Sequence, residues 1–156
     1  MTTSRLAFAA AFALPFLTPA FAQAPAAIDL EAAQPIFGSW TYRATTNGSE
    51  AAFIDGAAAR RMVVRCNRAA RTVSIVRSGV AAPAPTLTIW TSSTSRAVPA
   101  RFLATGELTA DVAAGDSLLD AIAFSRGRFA TAAAGAPMLA VPARPEPARV
   151  IEDCRS

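Results

Sequence analysis

The sequence predicts a mainly β domain, an antiparallel β-sandwich or small barrel with a short C-terminal helix tied to it by a disulfide. Three observations predict it. Short runs of alternating or β-branched residues recur between turn signals, as in Arg61 to Cys66, Thr72 to Val76 and Thr86 to Thr91. Helical patterning is confined to two short stretches, Asp116 to Asp120 and Pro147 to Cys154. Two cysteines, Cys66 and Cys154, stand far apart in a chain that opens with an export signal.

That signal occupies residues 1–22. Arg5 is the positive n-region, Leu6 to Leu17 the apolar h-region interrupted by Pro15, and Ala20-Phe21-Ala22 an A-x-A cleavage site before Gln23. The expected address is therefore periplasmic or secreted, with no transmembrane segment in the mature chain, since the apolar run is short of roughly 20 unbroken residues. Residues 23–35 are Ala/Pro-rich and without periodicity, and read as a flexible leader. Residues 36–156 then form a single β-rich domain, long enough to bury a real core.

Within it, Phe37 to Tyr42 carries Trp40 and Tyr42 at strand spacing, and Asn47-Gly48 is a hairpin turn before Ala51 to Ile54. Asn47-Gly48-Ser49 also matches a glycosylation sequon, although the turn explains the residues without it. Met62, Val64 and Cys66 face one way and Arg61, Val63 and Arg65 the other. Val73 and Ile75 are the inward pair of the next strand, across a loop at Asn67 to Arg71. Val80 to Pro85 is a stiff loop, and Thr86 to Thr91 follows as a strand. Pro99 limits the next strand to an edge or a bend. Glu107 to Val112 is a weaker strand. Ser117 and Asp120 have capping-box spacing over one helical turn, and two more strands follow at Ala123 to Ala130 and Met138 to Val141. In the tail, Val150, Ile151 and Cys154 form one apolar helical stripe.

In an oxidising compartment, two cysteines in one small domain pair. Cys66 with Cys154 closes a loop of roughly 90 residues, for which chain entropy predicts about 4 to 5 kcal/mol of stabilisation.

Composition excludes much chemistry. All 15 basic residues are Arg, Lys and His are missing, 39 positions are Ala, and the net charge is +4. Without His there is no Ser-His-Asp or Cys-His nucleophile system and no imidazole zinc site. Without Lys there is no Schiff base and no P-loop. No metal, cofactor or catalytic residue is expected, and the chain reads as a non-enzyme.

Three groups of residues remain as candidates. Phe124-Ser125-Arg126-Gly127-Arg128-Phe129 places two Phe at opposite parity, so a bulge at Gly127 is expected to turn both inward. Arg126 and Arg128 would then project together as a clamp for a carboxylate or phosphate. The basic cluster Arg60, Arg61, Arg65, Arg68, Arg71 and Arg77 falls partly on the outer face of the Cys66 hairpin. There Arg61 and Arg65 would hold anionic glycans or lipid headgroups, or simply be solvated. Nucleic acid is not expected, because no aromatics interleave with the arginines. Asp116 with Asp120, and Glu152 with Asp153, are the carboxylates available to a hydrolase. Capping and ion pairs with Arg149 and Arg155 account for them more simply.

The order of Gly38-Ser39-Trp40, Met62-Val63-Val64-Arg65-Cys66, Leu87-Thr88-Ile89-Trp90-Thr91, the Phe124 to Phe129 segment and a closing helix at Cys154 resembles small exported proteins of Gram-negative bacteria. Over residues 38–156 it is most similar to the TagO/VasI type of accessory protein of type VI secretion. The resemblance implies a disulfide-closed β-domain and no catalytic residues. The functional expectation is a non-enzymatic interaction module of the cell envelope, with an envelope protein as partner. The alternatives are an arginine-mediated binder of anionic envelope glycans or lipids, and a carboxylate-dependent hydrolase.

Overall fold

The structure is a computed structural model that describes residues 28–156. The expected export signal and the start of the expected leader lie outside the described residues. In chain order the elements are β1 (Gly38–Thr45), β2 (Gly48–Asp55), β3 (Arg60–Asn67), β4 (Thr72–Ser78), β5 (Thr86–Trp90), β6 (Ser95–Leu103), β7 (Glu107–Ala113), α1 (Ser117–Ala123), β8 (Arg128–Ala133), β9 (Ala136–Pro142) and α2 (Pro145–Asp153). The strands form one antiparallel sheet in the order β1-β2-β3-β4-β7-β6-β5-β8-β9, curled into a half-barrel. One continuous sheet resolves the choice between sandwich and barrel toward the barrel.

Local chemistry sets each turn of the curl. β1 and β2 are joined by Thr46 and Asn47 alone, with Thr45 opposite Gly48. The turn signal thus lands one residue early, and Gly48 has a different task. Its φ is +150°, and a Cβ there would sit 2.6 Å from the Cys66 carbonyl oxygen, so no side chain fits where β2 crosses β3. β6 carries Pro99 inside the sheet. Its first half, through Pro99, pairs with β5, and its second half, from Ala100, pairs with β7. Proline has no N–H for a ladder, and it stands where the strand changes neighbour, which is the bend its ring demands.

The inward residues follow the alternation: Trp40, Phe53, Met62, Val64, Val73, Ile75, Leu87, Ile89, Leu108 and Val141 are all buried in one cluster. Trp40 meets Phe53 edge-on at 5.4 Å and stacks on Phe129 at 6.1 Å, linking β1 and β2 to β8. Such aromatic pairs add about 0.5–1.5 kcal/mol each beyond burial. Trp40 Nε1 also donates to the Pro142 carbonyl at 2.8 Å, and Ile36 N to that of Ala140 at 3.0 Å. These two bonds draw the β1 and β9 edges together and leave less open edge for pairing with other chains.

Both helices lie on the concave side. Val150, Ile151 and Cys154 of the α2 stripe are buried in the core, together with Leu118, Leu119 and Ile122 of α1. Cys154 is bonded to Cys66 on β3, with Cα atoms 5.4 Å apart. The carbonyls at the end of α2 are met from the β3–β4 loop: Arg68 donates to Asp153 O at 3.2 Å and Arg71 to Arg155 O at 3.3 Å. Cations at a helix C-terminus oppose its dipole, so two arginines of the basic cluster serve as caps.

Four expectations are corrected. Helix α1 is capped by Asp116, as expected of that carboxylate, its Oδ1 accepting from Leu118 N at 2.8 Å, but it runs past a single turn to Ala123, and Ser117 lies within the helix instead of at its cap. The strand expected from Ala123 therefore begins only at Arg128, because the Leu118, Leu119, Ile122 stripe extends the helix through residues that alternate like a strand. Residues 28–35 are not featureless: Asp29 Oδ1 accepts from Glu31 N and Ala32 N, closing an Asx-type turn. Arg149 does not pair with Asp153. Its guanidinium lies 4.0 Å over the Tyr42 ring, and the Tyr42 hydroxyl donates to Asp153 at 2.8 Å.

Because the cross-link joins residues 88 apart, replacing both cysteines by serine is expected to lower the unfolding free energy by about 2–5 kcal/mol. Denaturant titration of the double variant against the oxidised protein measures it, and an unchanged midpoint would contradict the role given to the bond.

Candidate functional site

The segment after α1 is a loop, not a bulged strand. Phe124 terminates the helix and is 79% exposed, and Gly127 takes φ +71° in a tight turn. Only Phe129 reaches the core. The expected inward pair of phenylalanines is thus overturned, since the reversal at Gly127 precedes the strand instead of interrupting it. Two serines fix this loop to the β5–β6 turn. Ser92 N donates to Ser125 Oγ at 3.0 Å, Arg126 N donates to Ser92 Oγ at 3.0 Å, and Ser125 Oγ donates to Arg128 O at 2.6 Å.

Arg126 and Arg128 do line one cavity, of about 520 Å³, with Thr91, Ser92 and residues 28–31. Their roles differ. Arg128 Nη1 donates to the main-chain carbonyls of Glu31, at 2.9 Å, and Ala33, at 2.5 Å. It fastens the N-terminal turn instead of waiting for an anion. Arg126 makes no side-chain hydrogen bond or ion pair among the described residues, and is the free cation at this rim. Ile28 and Leu30 supply apolar wall, and Asp29 and Glu31 bring acid to the same opening.

The basic cluster around Cys66 is distributed among separate tasks. Arg77 faces inward between Met62 and Leu108 and is 1% exposed. It donates to Ser78 O at 2.6 Å and, at longer range, to Arg61 O and Pro137 O. Burial, with Arg61 nearby, lowers its pKa to about 10, so it stays charged at neutral pH and is held by carbonyls alone. Arg61 approaches Asp55 at 3.7 Å. Arg65 is bound to Glu50, which the sequence reading passed over.

Glu50 is the most consequential polar residue of the outer face. It is 2% exposed, and the two hairpins set it in register between Arg43 on β1 and Arg65 on β3. Arg43 Nη2 reaches Oε1 at 2.8 Å, Arg65 Nη2 reaches Oε2 at 2.7 Å, and Arg60 Nη2 reaches Oε1 at 2.9 Å. Burial pushes this carboxyl up, but hydrogen bonds from Arg65 and Arg43 and the charge of Arg60 outweigh it and hold the pKa below 4.5. Once Thr46 and Asn47 are known to form the turn, counting back along the hairpin finds the pair.

The carboxylates Asp116 and Asp120 are similarly engaged. Asp116 pairs with Arg96 at 2.7 Å, and Asp120 with Arg155 at 2.7 Å. The Leu118 amide, with the hydrogen bond and charge of Arg96, lowers the Asp116 pKa against the opposing effect of burial. Among the described residues no group of three His, Cys, Asp or Glu converges for a metal, and no helix is long and apolar enough to cross a membrane. Comparison with family models, with characterised proteins and with solved structures returns no match.

Two outcomes follow from these pairings. Glu50 and Asp116 titrate lower in the folded chain than their ordinary 4.5 and 3.8, so the unfolded chain takes up protons first as pH falls. Their contribution is complete above about 4.5 and is lost as pH falls through the folded values. Acid unfolding followed by circular dichroism is expected to show a smaller loss between neutral pH and the acid limb for Glu50→Gln than for the native chain. Separately, Arg77→Lys is expected to cost about 1–3 kcal/mol in urea titration, because an ammonium cannot span carbonyls on separate strands.

Proposed function

We propose that this chain is a non-enzymatic accessory module of the cell envelope, exported to the periplasm or beyond, that binds another envelope protein at the Arg126 cavity. One observation carries the reading. At a single rim, Arg128 grips two peptide carbonyls of a tight turn, while Arg126 beside it has no side-chain partner among the described residues. A surface that already holds main-chain carbonyls and presents a spare planar cation suits a peptide segment carrying a carboxylate. The opening has the size for a few residues of such a segment.

The Cys66–Cys154 bond and the A-x-A leader support an oxidising address. Engagement of Asp116 and Asp120 by separate arginines supports a binding role over hydrolysis. The resemblance of the sequence to accessory proteins of type VI secretion is in keeping with it.

The test is capture from periplasmic extract by the immobilised mature chain and by its Arg126→Glu variant. A partner retained by the native chain and reduced at least about tenfold by the variant, with the thermal midpoint unchanged, is the expected result. Equal retention by both, or nothing above bare resin, would overturn the reading.

A further inference from the structure

We infer that the Arg43–Glu50–Arg65 row is a built anion site, and that its ligand class is a phosphate monoester. It shares no residue with the Arg126 cavity. A concavity of about 330 Å³ opens beside the row, lined by Arg43, Thr45, Thr46, Asn47, Glu50, Arg65, Cys66 and Asn67. Its side chains are almost all hydrogen-bonding, and its only acid is the carboxylate buried beneath the arginines.

Glu50 does two things there. It holds the Nε and Nη2 edges of both Arg43 and Arg65, at 3.1 and 2.8 Å for the first and 2.7 and 2.7 Å for the second. Neither Nη1 has a protein partner among the described residues, so each guanidinium is fixed along one edge and keeps donors to spare. The carboxylate also neutralises only one of the three cations it touches. Arg43, Arg60 and Arg65 against Glu50 leave a net charge of +2.

The rest of the lining supplies neutral donors. Asn67 Oδ1 accepts from Ala70 N at 3.2 Å, which leaves its amide NH₂ to donate elsewhere. Asn47 holds Arg68 N through its main-chain oxygen at 2.8 Å, so its side chain makes no contribution to that bond. The Thr45 and Thr46 hydroxyls complete the set. Two planar cations, amide and hydroxyl donors and an excess charge of two match a doubly charged tetrahedral oxyanion better than a single carboxylate. The space beyond one phosphate admits a sugar-sized body.

The site is at the surface, with the Arg43 and Arg65 side chains 65% and 50% exposed. Binding is therefore salt-sensitive. The experiment titrates the oxidised mature chain at constant ionic strength, followed by amide chemical shifts, with inorganic phosphate, a hexose phosphate and acetate. Vesicles of phosphatidylcholine with or without phosphatidic acid form a separate arm. Hexose phosphate is expected to bind at least about tenfold tighter than acetate, with shifts at Thr45 to Asn47 and Asn67. Arg43→Gln with Arg65→Gln is expected to abolish the difference.

Glu50→Gln separates a built clamp from a merely positive surface. It raises the local charge to about +3, so diffuse attraction would tighten binding, whereas loss of the anchoring carboxylate weakens it. Should that variant unfold, the exposed Arg43→Gln change alone carries the test, with an expected loss of at least about threefold. Binding of phosphatidic acid vesicles without hexose phosphate assigns the phosphate to a lipid; hexose phosphate without vesicles assigns it to a soluble glycan; inorganic phosphate binding as tightly as either overturns the monoester assignment. Equal affinity for phosphate and acetate, or tighter binding by Glu50→Gln, overturns the inference. None of these results bears on capture at Arg126.

Discussion

The bond between Cys66 and Cys154 is the constraint on which the other features depend, because it holds a helix that is too short to persist alone. Nine residues form a marginal helix in water, and α2 gains its order from the sheet it covers. Once anchored, α2 presents Asp153 to Tyr42. Just beyond it, Arg155 donates to Ala114 O at 2.8 Å and to Asp120 at 2.7 Å. Those contacts seat α1. The end of α1 then delivers Ser125 to Ser92, and the Ser125–Ser92 link shapes the cavity beside Arg126. A covalent bond at one side of the half-barrel thereby governs a surface that it never touches.

A second thread is the use of arginine as the sole cation. A planar fork can satisfy carbonyls, share a carboxylate or lie on a ring, and the chain employs each mode. Arg77, Arg128 and Arg155 donate to main-chain oxygens, Arg43 and Arg65 divide one buried carboxylate, and Arg149 covers Tyr42. A compositional bias that carries little information by count acquires specific roles through position. Lysine would serve poorly at several of these places, where two acceptors are met by one head group.

Much of the fold was legible because alternation and cysteine placement are local or pairwise signals. Met62, Val64, Cys66, Val73 and Ile75 all face the core as their parity predicts, and the tail stripe at Val150, Ile151 and Cys154 is buried. Failures arose where two periods overlap. Leu118 to Phe129 satisfies a helical stripe at its start and a strand at its end, and no rule of spacing marks Phe124 as the point of change. The two candidate sites were legible unequally. Arg126 and Arg128 were found as a pair, but only three-dimensional placement shows that Arg128 serves the chain's own N-terminal turn. Glu50 was missed because a lone acid in an apolar strand has no sequence signature, and its meaning lies in the register of two hairpins.

Pro99 has a mechanical consequence. Because β6 belongs to one ladder before the proline and to another after it, the nine residues act as a splice between the N-terminal and C-terminal parts of the sheet. Neither part can peel away while leaving the other with a complete border, for the departing strand takes its neighbour's last row of hydrogen bonds with it. The two parts of the half-barrel are thus joined along β6 by the continuity of the chain itself, each half of the strand completing a different ladder.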